Sequence, residues 1–464
     1  MTCILLCALG IVAAPLFVDK TVELGLVRSD SAACWVDLDN DGWTDLCAGE
    51  AVWLNRRGKR FEKGSEIGIV VAADFDNDGF ADLFSLSQMR LYCNDGGKDF
   101  APFALPNLPA TVSRGACWGD FNGDGFVDLY IGGFEDWDKQ LTYPDMILTN
   151  RAGKAFELTW SESRYRARGV TACDFDRDGD LDVYVSNYRL QPNQLWANNG
   201  TGTFVDQAAP RNAIATSTGF EGGHSIGAAW GDFDEDGEFD LFTGNFAHVD
   251  SRGDQPKSRF LKGLGRAGSN RFEDKGTCGV HYQESYASPA AGDYDNDGRL
   301  DLYFTTVYAT ASFGKKNNPV LFRNRGPFDF EDTTASAGLA ELGATYEAAW
   351  SDFDRDGDLD LATNGKLFVN QSKGTRWLEI KLEGDGKSVN RAAIGAQVRL
   401  RTGNRTLTRQ VEAGTGEGNQ NDLILHFGLG DSSGPVALEV LWPGGTVQRV
   451  RNVRTNRLLK LSFK

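Results

Sequence analysis

A nine-residue acidic pattern, Asp-x-Asp-x-Asp-Gly-x-x-Asp, opens at Asp37, Asp74, Asp120, Asp174, Asp232, Asp293 and Asp352, and Asn122 is its one replacement of an acid. Carboxylates two residues apart converge on one point only if the chain coils tightly, and the glycine at the sixth position permits that turn. Converged, they repel unless a cation sits among them. Hard oxygen donors at the first, third and fifth positions, a backbone carbonyl at the seventh and an Asp at the ninth make a cage suited to Ca2+. That ion accepts about six to eight oxygens in loose geometry, whereas Mg2+ demands a stricter octahedron and keeps more waters. The pattern therefore describes an array of metal loops, not one active site.

An EF-hand is excluded by the twelfth position, which should carry a bidentate Glu and holds Ala48, Ser85, Ile131, Val185, Thr243, Phe304 or Thr363. The flanks read as buried strands: Ala116-Cys117-Trp118-Gly119 enters a loop and Leu129-Tyr130-Ile131 leaves one. A second signature follows each loop at a similar offset, as in Trp53-Leu54-Asn55, Leu195-Trp196-Ala197-Asn198 and Leu367-Phe368-Val369-Asn370. Asn/Gly turns after it join two further strands. A four-stranded unit repeated radially is a β-propeller blade. Phe17-Val18-Asp19-Lys20-Thr21 matches the outer-strand segment Phe330-Glu331-Asp332-Thr333-Thr334, and no such segment follows Asn370. The amino-terminal segment is thus expected to complete the last blade and close the ring.

This arrangement resembles the FG-GAP or VCBS repeat family, whose relatives include integrin α-chain propellers, over residues 16–374. The resemblance implies an all-β, seven-bladed propeller with up to seven Ca2+ sites. The side-chain ligands it implies are Asp37, Asp39, Asp41 and Asp45; Asp74, Asp76, Asp78 and Asp82; Asp120, Asn122, Asp124 and Asp128; Asp174, Asp176, Asp178 and Asp182; Asp232, Asp234, Asp236 and Asp240; Asp293, Asp295, Asp297 and Asp301; and Asp352, Asp354, Asp356 and Asp360. Trp43, Phe80, Phe126, Asp180, Glu238, Arg299 and Asp358 would contribute backbone carbonyls. Asn122 keeps an oxygen but removes a charge, so the third site is expected to be the weakest. Beyond residue 374 the blocks Asn390–Leu400, His426-Phe427-Gly428-Leu429-Gly430 and Val440-Leu441-Trp442-Pro443-Gly444-Gly445 resemble, in order, the ASPIC/UnbV domain that follows such propellers in bacterial secreted proteins and in the cartilage acidic proteins. Where that family shows an aromatic and Ser-Gln after a Gly, this chain has Gly416-Glu417-Gly418-Asn419-Gln420. Alternating Leu378-Ile380-Leu382 and Val398-Leu400 predict a small β-sandwich or barrel over residues 375–464.

The net charge is -17. Residues after Thr375 contribute 14 basic and 8 acidic side chains, or +6, which leaves -23 before it. Seven Ca2+ would add 14 positive charges, so most of the acidity is ligand. Nothing in it calls for a nucleic-acid partner, and no binding motif for one is present. Residues 1–15 read as an export signal without a basic start, too short to span a membrane, with cleavage expected after Gly10. Cys34 and Cys117 fall in slots where other repeats carry alanine, and so read as small buried thiols; Cys34 and Cys47 could also face each other across one hairpin. Gly263-Leu264-Gly265-Arg266-Ala267-Gly268 spells a dinucleotide fingerprint but sits at a hairpin with no helix after it. Arg252-Gly253-Asp254 is unremarkable in a chain with 55 glycines.

No nucleophile elbow, zinc motif or phosphate loop is present. The spacing between loops grows from 37 residues (Asp37 to Asp74) to 61 (Asp232 to Asp293) while the loops keep their length. Part of the excess lies in connections expected on the face away from the metal loops. They or their neighbours carry the ligand-face candidates Trp137, Tyr143, His224, Phe246, His248, Tyr282, Glu284, Tyr308 and Phe313. His224, His248 and His281, with Tyr282, Glu284 and Asp254, could form a polar pocket or transition-metal site; surface-loop hydrogen bonding is the plainer role. The sequence as a whole predicts a secreted, periplasmic or cell-surface monomer without a membrane span, binding an extracellular protein or glycan. A polysaccharide-active enzyme or lectin is the alternative.

Overall fold

A computed structural model describes residues 16–464 apart from 30, 251, 252, 341 and 433. The expected export signal, and Arg252 of the Arg-Gly-Asp tripeptide, lie outside the described residues. Seven four-stranded antiparallel sheets follow the seven loops. Their first strands are Ala33–Val36, Val70–Ala73, Ser113–Gly119, Ala167–Cys173, His224–Gly231, Tyr286–Gly292 and Ala349–Ser351. Each touches the next, and the last touches the first, so the sheets form a closed ring with these strands innermost. Each loop joins an innermost strand to the second strand of its sheet, which puts all seven loops at one end of the ring.

The ring closes as the terminal repeats predict. Phe17–Asp19 pairs antiparallel with Lys366–Asn370 of the last blade, Phe17 opposite Asn370. Aromatic wedges fill the space between blades: Trp35 stacks on Phe353, Trp230 on Phe175, and Phe260 on Phe330. The second-signature asparagines do more than turn the chain. Their amides donate across the gap to a neighbouring blade, Asn94 to Leu38 O (2.9 Å), Asn150 to Phe75 O (2.7 Å), Asn198 to Phe121 O (2.8 Å), Asn324 to Phe233 O (2.9 Å) and Asn370 to Tyr294 O (2.8 Å). Asn55 reaches Phe353 O (2.9 Å) and thereby staples the first blade to the last. In the fifth blade Gly263 takes this position, so that staple is missing.

The chain after the ring forms a three-stranded sheet, Leu425–Gly428, Trp377–Glu383 and Leu458–Ser462, and a four-stranded one, Arg405–Gln410, Gln397–Thr402, Val436–Leu441 and Val447–Val453. Leu378, Ile380, Leu382, Val398 and Leu400 are buried between them with Phe427 and Trp442, as the alternation predicts. This unit sits on the metal-loop end and touches every loop. Lys381 lies 3.6 Å from Asp37, and Arg391 N donates to Asn77 Oδ1. Gly125 has no room for a side chain because Lys387 O is against it. Gln397 Nε2 donates to Asp174 O, Thr408 Oγ1 to Gly237 O, Gly428 N to Asp293 Oδ2 and His426 Nε2 to Gly357 O. A basic cap thus covers an acidic end.

One segment of that cap, Val411–Asp422, enters the centre of the ring and bonds to the inner edges of the innermost strands. Trp35 N donates to Gln420 O, Gln420 N to Ala33 O, Ala72 N to Gln420 Oε1, Trp118 N to Ala413 O and Val170 N to Gly416 O. These strands would otherwise carry unpaired N–H groups inside the molecule. Glycine permits the approach: a Cβ on Gly414 would lie 2.3 Å from Ala116 O. At the far end of the plug Glu417 pairs with buried Arg168, whose guanidinium lies over the rings of Phe134, Tyr188 and Tyr346 at 5.0, 5.2 and 5.6 Å.

Candidate metal centres

The loops bring their carboxylates together. Among the described residues, the groups whose acids converge within 4.8 Å include Asp37, Asp39 and Asp41; Asp74, Asp76 and Asp78; Asp174, Asp176 and Asp182; Asp232, Asp234 and Asp240; and Asp293, Asp295 and Asp297. Buried carboxylate oxygens without a hydrogen-bond partner lie in these loops and in the seventh: Asp37 Oδ1, Asp74 Oδ1, Asp176 Oδ1, Asp182 Oδ2, both oxygens of Asp232, Asp293 Oδ1, Asp354 Oδ1 and Asp360 Oδ2. Orphaned buried acceptors are costly, and a cation is what such a donor set fits. Burial lifts the carboxyls of Asp74, Asp174 and Asp232 to about 7 and that of Asp293 to about 8, and facing carboxylates of the same loop add to each rise. Arg409, half-buried in the cap near both Asp232 and Asp293, opposes both shifts.

Basic side chains supply charge at the outer carboxylates. Lys262 pairs with Asp234 and Asp236, Arg56 with Asp39, and Arg323 with Asp295 and Asp297. In the third loop the amide of Asn122 donates to Asp124 Oδ2, the fifth-position oxygen that Lys262 takes up in the fifth loop and Arg299 and Arg323 take up in the sixth. The ninth-position Asp has a second role that the sequence reading did not assign. In the first, second, third, fifth and sixth loops its oxygens accept backbone N–H groups from its own loop and from the third strand, as Asp45 does from Leu38 N and Asn55 N. In the fourth and seventh, Asp182 Oδ2 and Asp360 Oδ2 keep no such partner.

At the opposite end the ligand-face candidates divide. Trp137, Tyr282 and Tyr308 are exposed, at 52%, 42% and 56%. Arg189 lies 3.9 Å over the Trp137 ring and pairs with Glu135, which fixes the indole. Tyr143 is half-buried. His224 and Phe246 are buried, and they pack against His248 with ring centres 5.4 and 4.4 Å away. Their expected ligand-face role is corrected to filling beneath the surface. His248 Nδ1 meets Glu284 at 3.1 Å, and Glu284 also accepts from Ser312 N and Oγ. His281 instead packs against Phe322, and Asp254 pairs with Lys257, so the two stand apart from the His224–His248–Glu284 contacts, in keeping with the plainer loop role. The Phe313 side chain lies outside the described ones. Cys34 and Cys47 are direct cross-strand partners and stand as free thiols, as do Cys117 and Cys173.

Sequence reasoning missed the plug. Its signal is the alternation Gly414, Gly416, Gly418, all at positive φ, in a segment with no strand pattern.

Ring, loops and cap define an all-β protein of FG-GAP-like repeats. An FG-GAP-like repeat model matches residues 74–131 and 174–243, and the ASPIC and UnbV model matches residues 386–464; the chain carries both. Among curated relatives it is similar to cartilage acidic protein 1 of Mus musculus, at 26% identity over 87% of this chain and 66% of the relative. The same protein of Homo sapiens is 27% identical over 87% of this chain and 64% of the relative. The chain spans about two thirds of the length of these relatives. Among solved structures, BBS1N in complex with ARL6DN has a TM-score of 0.45 at 10% identity, covering 78% of this chain and 98% of that one. Rhamnogalacturonan lyase YesW has a TM-score of 0.28 at 12% identity, covering 94% and 92%. No helix among the described residues is long and apolar enough to cross a membrane.

Proposed function

We propose that this chain is a secreted, calcium-stabilised binding module that holds an extracellular protein or glycan on the face opposite its metal loops. One observation carries the reading: the cap covers the loop end and the plug fills the axis, which leaves the opposite face as the broad open end of the ring. Trp137, Tyr282 and Tyr308 stand exposed there on connections anchored to a rigid scaffold, where binding energy tends to concentrate. In the loops, Asp37, Asp74, Asp174, Asp232, Asp293 and Asp352 with their third-, fifth- and ninth-position partners would hold the ions, and the third loop would hold its ion least well. Bound Ca2+ supplies the positive charge that cancels the mutual repulsion of these carboxylates. On that face the hollow beside Glu284, Ser312, Lys315 and Lys316 has about 130 Å³, below the ~300–1,000 Å³ typical of small-molecule sites, which supports a larger partner there over an enclosed substrate.

A glycan and matrix-protein array with the whole chain tests this. Trp137→Ala or Tyr308→Ala should weaken capture of any hit by about tenfold and leave the melting temperature in calcium unchanged. Binding that survives both changes and follows residues 375–464 alone would overturn the assignment.

A further inference from the structure

Between the first two metal loops and the three-stranded sheet of the cap lies a cleft of about 420 Å³. On the cap side the strands Trp377–Glu383 and Leu458–Ser462 run parallel, with Lys381 directly beside Lys460, and both line the cleft together with Arg391. Like charges side by side on neighbouring strands repel, so the pair needs a counter-charge. Lys381 has Asp37 at 3.6 Å. The Lys460 ammonium and the Arg391 guanidinium make no ion pair or side-chain hydrogen bond among the described residues, although Arg391 lies near enough to Asp74 to act on it electrostatically.

The acids of the cleft are mostly engaged. Asp422 accepts from Thr44 Oγ1, Ser351 Oγ and Ile424 N. Asp37 and Asp74 face into their own loops, where an ion would compete with Lys381 for Asp37. With ions in the first two loops, three cationic side chains then face the cleft against the two carboxylates of Glu383 and Asp422. Leu423 and Ile424 form an apolar wall, and the volume falls within the ~300–1,000 Å³ of small-molecule sites.

We propose that this cleft binds a small oxyanion, its carboxylate- or phosphate-type oxygens clamped by Lys381, Lys460 and Arg391 across the seam between the ring and its cap. The ligand bridges the two parts of the chain, with charged oxygens toward the cations and any short hydrocarbon body along Leu423 and Ile424. The inference rests on the calcium reading, since an occupied first loop is what releases Lys381.

The test is calorimetric titration of the whole chain in calcium, at constant ionic strength, with sodium sulfate in one arm and sodium succinate in the other. Saturable heat is expected from at least one. Sulfate alone assigns a tetrahedral anion, and succinate alone a carboxylate with an apolar body. The double variant Lys381→Gln/Lys460→Gln should bind about tenfold more weakly or worse while melting at the wild-type temperature in calcium, which shows it is folded. No saturable heat from either anion, or equal binding by the double variant, overturns the proposal. The calcium reading is judged separately, by whether EDTA lowers the wild-type melting temperature.

Discussion

Asn419 holds the ring shut where the two ends of the propeller chain meet. Its Oδ1 accepts from Ala33 N of the first blade at 3.1 Å and from Ala348 N beside the last blade at 3.3 Å, while its Nδ2 donates to Tyr346 O at 2.8 Å. The side chain is buried, so Asn419→Ala leaves two N–H groups and one carbonyl without partners and without water. Each such group costs about 1–3 kcal/mol, and the three together about 4 kcal/mol once partial relaxation is allowed. Asn421→Ala removes one comparable bond, from Trp350 N at 2.9 Å, and should cost about 1–2 kcal/mol. Native-state amide exchange reads the effect locally. In Asn419→Ala the amides of Ala33 and Ala348 should exchange about a thousandfold faster, since ~1.4 kcal/mol is tenfold. The urea midpoint should fall in the order wild type, Asn421→Ala, Asn419→Ala. Exchange within about threefold of wild type at both amides would show that the plug lies against the blades without joining them.

Removing metal with EDTA should lower the melting temperature by about 15 °C, from ~2.7 kcal/mol per site at a hundredfold excess of calcium over its dissociation constant, six all-carboxylate loops, and about 1 kcal/mol per degree for a chain of this length. A change below about 2 °C would refute the metal reading. The metal-free chain should also respond to pH. Asp74, Asp174, Asp232 and Asp293 have folded-state pKa values raised to about 7 or 8, so their contribution is fully present below the unfolded value and is lost as pH rises through 7 to 8. Unfolding in EDTA should therefore show greater stability at pH 6 than at pH 9, and a flat or reversed profile would contradict the buried-carboxylate account. Deleting Leu16–Leu26 strips the last blade of the strand Phe17–Asp19 and bares the edge Lys366–Asn370, so the truncated chain should aggregate or unfold early by light scattering and thermal melting. Equal solubility and stability would show that the strand only decorates the ring.

The sequence alone determined whatever repeats or alternates locally. The acid spacing around Gly42, Gly79 and their counterparts specifies a coiled loop, because the turn and the carboxylate convergence are properties of nine consecutive residues. The strand flanks, the match of Phe17–Thr21 to Phe330–Thr334, and the alternation of Leu378, Ile380 and Leu382 were legible for the same reason. The tertiary structure decided what depends on groups far apart in sequence. Asn55 looked like a turn residue, and it is one, yet its amide also reaches Phe353 from 298 positions away. Gly416-Glu417-Gly418-Asn419-Gln420 showed only alternate glycines and nothing that names a partner, because its partners are backbone N–H and carbonyl groups of several blades, which every sequence possesses. His224 and Phe246 looked like a binding surface until packing placed His248 over them. Which end of the ring is covered was likewise decided by docking: the opposite charges of the two segments were legible in the sequence, but that the cap's cations and backbone donors meet the loop end depends on both being folded.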